Sequence, residues 1–151
     1  MQVIDERSIQ SYIEKWKGNL SLSDWDIRPV VVNPPWRKSG DVKIDESNRM
    51  AAVMVRSDLD PAFLEQVVVH ELLHIKLWGL DQMLEGVLNA LFGEDLEHGR
   101  RAFAQDQFMD RLETTTQDLA RALLSASGFE GEYLFDRVQR QIDEEVGTQP
   151  V

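Results

Sequence analysis

The chain has 151 residues, of which 42% are apolar and 28% charged, as expected of a folded domain rather than a disordered chain. Its formal net charge of -11 argues against nucleic acid as a partner, because a phosphate backbone would be repelled. It has no cysteine, which excludes disulfides and thiolate zinc sites, and no segment with the ~20 apolar residues that cross a membrane. We therefore predict a soluble, cytoplasmic protein without a secretion signal.

The first half of the chain predicts one helix followed by three strands. The helix, residues 5–17, is indicated by apolar side chains at helical spacing: Ile9, Tyr12, Ile13 and Trp16. Three segments have the pattern of strands: 25–32, 42–45 and 51–55. Pro29 cannot donate to a sheet ladder, so the first strand is expected at an edge or a bulge. The other two strands are separated by a short turn and should pair antiparallel.

From Asp60 onward the pattern is helical, since Asp60 suits an N-cap and Pro61 a first helical position. We predict helices over residues 61–78, ended by Gly79, then 81–92, 101–125 and 131–145, with a frayed tail at 148–151. The order indicates an α+β fold in which a small antiparallel or mixed sheet of about three strands packs on helices. We divide the chain into a domain of residues 1–128 and an acidic C-terminal helix and tail of residues 129–151.

The sequence His70-Glu71-Leu72-Leu73-His74 is the motif that carries chemistry. Residues four apart share a helix face, so His70 and His74 can direct two imidazoles at one zinc ion. Glu71 lies about 100° around the helix, outside the ligand set but beside a zinc-bound water. It could take a proton from that water and later give it to the leaving amine.

The flanks of the motif are apolar, with Val67, Val68 and Val69 before it and Ile75 after it. Two histidines and a glutamate within a buried helix are costly unless something satisfies them, and a metal with its water would do so. The alternative is a chance motif on a solvated face, but such a face would not be flanked by these residues. We therefore predict a Zn²⁺ site.

The third zinc ligand has two main candidates. In the extended motif HExxHxxGxxH the third ligand is a histidine six residues after the second. That arrangement is excluded here, because Leu80 stands at the histidine position. Glu113 is the first choice, since it falls at the margin of an apolar stripe on its helix, formed by Phe108, Leu112, Leu119 and Leu123. His98 is the rival, because zinc also accepts three histidines. Weaker candidates lie in polar segments: Glu85, Glu94 and Glu97.

With these residues in view, the sequence resembles the small zincin-like metallopeptidases of bacteria and their phages, related to repressor-cleaving and SprT-like groups. Three segments carry the resemblance: Asp24–Ile27, Asp41–Val55 and Val68–His74. Together they cover roughly residues 8 to 125. The resemblance implies a gluzincin-like ligand set of two histidines and a glutamate, in which Glu113 matches because Leu119 and Ala120 follow it in the family's spacing. The SprT-like groups instead use a third histidine, which keeps His98 as the alternative.

The resemblance also implies a peptide or protein substrate, bound by β-addition along the strand before the active helix, here Met50 to Arg56. A transition-state electrophile in such enzymes is a Tyr, His or Arg, and four residues are available: Tyr12, Arg49, His98 and Tyr133. The predicted function is thus a zinc-dependent peptidase with Glu71 as the catalytic residue. The alternative is a non-catalytic module in which zinc stabilises an interaction surface; oligomeric state stays open.

Overall fold

The computed structural model describes residues 3–131, 133 and 136–147. In this part the elements are α1 (Glu6–Lys17), β1 (Asp26–Val32), β2 (Gly40–Asp45), β3 (Met50–Arg56), α2 (Leu64–Phe92), α3 (Gly99–Ala126) and α4 (Asp136–Val146). A short 3-10 turn, Pro61–Phe63, precedes α2, and the carboxylate of Asp60 accepts the backbone N–H of Ala62 there as an N-cap. The predicted tail at 148–151 lies outside the described residues, as do positions 132, 134 and 135 of the predicted last helix.

The three strands form one mixed sheet in the order β1-β3-β2. β2 pairs with β3 antiparallel, as predicted, whereas β1 pairs with β3 in parallel. The predicted α+β class with a small sheet is confirmed, and Pro29 does lie in an edge strand. The prediction that Met50 to Arg56 offers a free peptide-binding edge is wrong. That strand is central, because β1 and β2 use the hydrogen-bonding groups on both of its sides.

The core lies between one face of the sheet and the helices α1 and α2. Alternate residues of β3 point into it: Ala51, Val53 and Val55. From α1 come the residues that its helical spacing predicts, Ile9, Ile13 and Trp16. The first half of α2 lies across them, so the His-Glu-Leu-Leu-His motif is on a helix segment that is packed against the core.

The prediction that Gly79 ends a helix is wrong, since α2 runs without interruption for 29 residues. A glycine within a helix costs about 1 kcal/mol relative to alanine, which does not outweigh the helical bonds on either side. The helix ends instead at Gly93, whose φ of 80° suits glycine. Despite the length of α2, no helix in the described part of the chain is apolar over enough residues to cross a membrane.

The buried face of α3 differs from the predicted stripe. Leu112, Thr116, Ala120 and Leu124 are buried along it, whereas Leu119 is 40% exposed. Thr116 can be buried because its hydroxyl donates to the carbonyl of Leu112 at 2.7 Å. Glu113 follows Leu112 directly, so it stands at the edge of this face and next to α2.

Candidate metal centre

In the first half of α2, helical periodicity places the core residues and the two histidines on different faces. Val68, Val69 and Leu72 are fully buried against the core. His70 and His74 lie on a different face, half-buried, and line a cavity of about 790 Å³. Since they are four residues apart, their imidazoles lie side by side, with 3.2 Å between the two Nε2 atoms.

The carboxylate of Glu113 on α3 meets both imidazoles. Its Oε2 lies 3.2 Å from Nε2 of His70, and its Oε1 lies 2.9 Å from Nε2 of His74. One ligand atom from each of these three residues lies within 4.8 Å of the others, so this ligand group could hold a metal ion. Glu113 and the two histidines are thus brought together as the sequence predicts.

The contacts in the ligand group are close to the spacing around a small cation. Donors on a tetrahedral zinc at about 2.0–2.1 Å lie about 3.3 Å from each other. The two Nε2 atoms lie 3.2 Å apart, and each lies 2.9–3.2 Å from a different oxygen of Glu113. Two imidazole nitrogens and a carboxylate oxygen are also a donor set that catalytic zinc sites use.

Gln117 orients the first histidine, and sequence reasoning missed it. Its amide Oε1 lies 2.8 Å from Nδ1 of His70, and because an amide oxygen can only accept, Nδ1 carries the proton. In the neutral form of the ring, which a metal ion requires, the lone pair is then on Nε2, and Nε2 faces the ligand group. Gln117 follows Glu113 by four residues, one helical turn, and that spacing could have identified it.

Glu71 is buried, only 6% exposed, and lines the same cavity without belonging to the ligand group. Burial raises the pKa of its carboxyl to about 7. The charges of His70 and His74 partly oppose this rise in pKa. Such a carboxyl can hold or release a proton near neutral pH, as a general base requires.

Gly40, the first residue of β2, gives Glu71 its space. A Cβ at Gly40 would lie 2.6 Å from Cγ1 of Val67 and 3.3 Å from Oε1 of Glu71. Any side chain at this position would therefore clash with α2 beside the motif. Because Gly40 has no side chain, the start of β2 can form a wall of the cavity.

In the ligand group, His70 and Glu113 shift each other's pKa. Hydrogen bonds from His70 and His74 hold the pKa of Glu113 far below its usual range, although partial burial opposes this. Burial alone would lower the pKa of His70, but the hydrogen bond to Glu113 and the charge of Glu71 outweigh it, and the net pKa is raised. Without a metal the group is thus an imidazole–carboxylate cluster held by charge.

The rival ligand His98 lies elsewhere. It is the N-cap of α3, where its Nδ1 accepts the backbone N–H of Arg101, and its ring stacks on Phe92. The weaker ligand candidates are also outside the group found among the described residues: Glu85, Glu94 and Glu97.

None of the predicted electrophiles lines the cavity. Tyr133 bonds Ser125 and packs on Phe129, and Arg49 pairs with Asp24. Tyr12 packs against the core. The cationic groups that do line the cavity belong to Arg37, Lys38 and Arg56. No spacing in the sequence connects these three residues with the motif.

Comparison of the chain with protein-family models, with curated proteins and with solved structures found no match. The resemblance to zincin-like peptidases therefore stays a prediction.

Proposed function

We propose that this protein is a zinc-dependent peptidase, with His70, His74 and Glu113 as the metal ligands and Glu71 as the catalytic residue. One observation carries the proposal. Three zinc-type donor atoms converge on the floor of an open cavity, and a buried carboxyl that is not one of them lies next to them.

The ligand group leaves room for chemistry. A structural zinc site is usually closed by four protein ligands, whereas a catalytic site has three and an open position. Within the described residues the group has three members, and it opens to the cavity. Zinc held there would supply a water of lowered pKa and a Lewis acid for a carbonyl oxygen.

The protein's own groups would act around that position. Glu71 would accept the proton of the attacking water and then donate it to the leaving amine nitrogen. Gln117 would keep the His70 ring in the tautomer that presents Nε2. Gly40 would keep the carboxyl of Glu71 close to the cavity wall, since no side chain intervenes.

The sheet offers a place for an extended substrate. β2 pairs only with β3 within the described sheet, so no described strand lies along its outer edge. The carboxylate of Asp41 accepts the N–H of Val42 on β2, and an added peptide would have to replace that bond. It begins at Gly40, in the wall of the cavity, and a peptide added along it would reach the ligand group. β2 thus takes the role that the sequence predicted for Met50 to Arg56.

The test compares the zinc-loaded wild type with Glu71→Gln on a degenerate peptide pool, with new termini read by mass spectrometry. We expect cleavage by the wild type and a rate at least about 100-fold lower for Glu71→Gln, as loss of a general base costs. Glu94→Gln, an exposed charge outside the cavity, should cleave like the wild type.

Metal content completes this test. Wild-type protein should bind about one equivalent of zinc, and His70→Ala should lose it. Zinc binding without any cleavage would support the alternative of a non-catalytic zinc module. Equal cleavage by Glu71→Gln would contradict the role of Glu71 as the catalytic residue. Absence of zinc binding would rule out both functions.

A further inference from the structure

One wall of the cavity is basic although the chain is strongly acidic. The whole sequence has 27 acidic and 16 basic residues. The cavity, by contrast, is lined by three cations, Arg37, Lys38 and Arg56, and three carboxylates, Asp41, Glu71 and Glu113. The cations all lie on the side of the sheet, opposite Glu113 on α3.

Two of the cations, Arg37 and Lys38, lie on a segment that is bonded to the third, Arg56. We call residues Trp36–Ser39 the basic segment. The backbone N–H of Arg56, at the end of β3, donates to the carbonyl of Ser39 at 3.0 Å. Its guanidinium donates to the carbonyl of Trp36 at 3.4 Å. Both ends of the basic segment are therefore attached to the central strand, beside the start of β2.

The three cations differ in their partners. Lys38 pairs with Asp41 at 3.0 Å, and Arg56 pairs with Asp58. Arg37 is exposed, and no ion pair or hydrogen bond joins it to another described residue. A planar guanidinium with free donors is well suited to bind a carboxylate in a two-pronged way.

We propose that the substrate is a peptide with an acidic side chain, Asp or Glu, that binds Arg37 while the backbone lies along β2. This inference rests on the proposed function for the cleavage but not for the binding. A nucleic acid fits less well, because Asp41, Glu71 and Glu113 in the same cavity would repel a run of phosphates.

Binding tests the inference without requiring cleavage. The probes are two fluorescent degenerate decapeptide pools, one with Asp and Glu at two positions and one with Asn and Gln at the same positions. Zinc-loaded Glu71→Gln protein is titrated with each pool, so that no peptide is consumed. We expect the acidic pool to bind about two- to fivefold tighter, the strength of one exposed ion pair. The chain's net charge of -11 predicts the opposite preference.

Two variants test whether Arg37 causes the preference for the acidic pool. Arg37→Gln should abolish it, whereas Arg7→Gln, an exposed arginine on α1 outside the cavity, should retain it. The preference should also fall as salt is raised, because an exposed pair is screened. A preference that survives in Arg37→Gln, or equal binding of both pools, would overturn the inference.

The remaining outcomes separate the inference from the proposed function. If wild-type protein cleaves both pools without an acidic preference, the peptidase stands and the inference falls. If the preference depends on Arg37 but no pool is cleaved, the inference stands and the peptidase falls. Binding of neither pool, or tighter binding of a single-stranded oligonucleotide than of the acidic pool, would also overturn the inference.

Discussion

The two halves of α2 are one continuous helix in two different environments. The proximal half, residues 64–75, has buried side chains around most of its circumference. The distal half, residues 76–92, buries only Leu88, among the residues whose burial is described. It instead exposes an apolar row: Leu80, Met83, Val87 and Leu91. His70, Glu71 and His74 all lie in the proximal half.

The difference shows what each half contributes to the site. The proximal half lies under the sheet, so His70, Glu71 and His74 have fixed positions. The distal half ends far from the histidines, and α3 begins beside its end. There the guanidinium of Arg101 donates to the side chain of Asn89 and to the carbonyl of Gly93. Glu113 then comes back to the histidines. The proximal half holds the two histidines in place, and the distal half, through its contact with the start of α3, sets the path by which Glu113 reaches them.

The largest expected effect is on stability, when one leucine in each half is shortened to alanine. Leu72 is fully buried, so Leu72→Ala should lower the free energy of unfolding by about 2–5 kcal/mol. Leu91 is 69% exposed, and Leu91→Ala should change it by less than about 0.5 kcal/mol. Urea unfolding measures both values. Equal losses would show that the distal half is as tightly packed as the proximal half.

The second prediction concerns pH and Glu71 in metal-free protein. The pKa of its carboxyl rises from 4.5 to about 7 on folding, so between these values the unfolded chain loses the proton first. The stabilisation from this group is present below pH 4.5 and is lost as pH rises through about 7. Glutamine does not titrate, so Glu71→Gln does not lose this stabilisation. Its free energy of unfolding should exceed that of the wild type by about 3 kcal/mol at pH 8.

The measurement is urea unfolding of chelator-treated protein at pH 4 and pH 8. Glu94→Gln, in the exposed segment after α2, should follow the pH dependence of the wild type. Parallel pH curves for wild type and Glu71→Gln would mean that Glu71 is solvated, and that the proximal half does not bury its charge.

The third prediction concerns the affinity for zinc. Gln117→Ala removes the acceptor of the His70 Nδ1 proton and should weaken zinc binding about 10–100-fold. Gln82→Ala, on the exposed distal half, should leave it unchanged. Competition with a chromophoric chelator measures both constants. Equal affinities would show that packing alone orients the ring.

The members of the ligand group could be predicted from the sequence because helical spacing depends only on residues near each other in the chain. His70 and His74 share a face through their spacing alone, and Glu113 marks the edge of an apolar stripe. The parallel pairing of β1 with β3 could not be predicted, because it depends on distant segments. The basic segment was missed for the same reason, since only the sheet brings Arg37 to the motif.

The error at Gly79 has a different physical origin. Glycine both ends helices and occurs within them, and its neighbours decide which. Gly79 is helical and is followed by 13 further residues of α2, whereas Gly93 adopts a positive φ and is followed by a polar segment. Local propensity was therefore too weak to place the end of α2.

The smallest predicted effect tests that continuity. A Cβ at Gly79 would meet no atom within 4 Å, so Gly79→Ala should raise the free energy of unfolding by about 1 kcal/mol. Gly93→Ala should lower it, because alanine is strained at a φ of 80°. Urea unfolding gives both signs, and zinc affinity should stay constant. If Gly79→Ala destabilised the protein instead, the helix would break there, and the two halves of α2 would be separate helices.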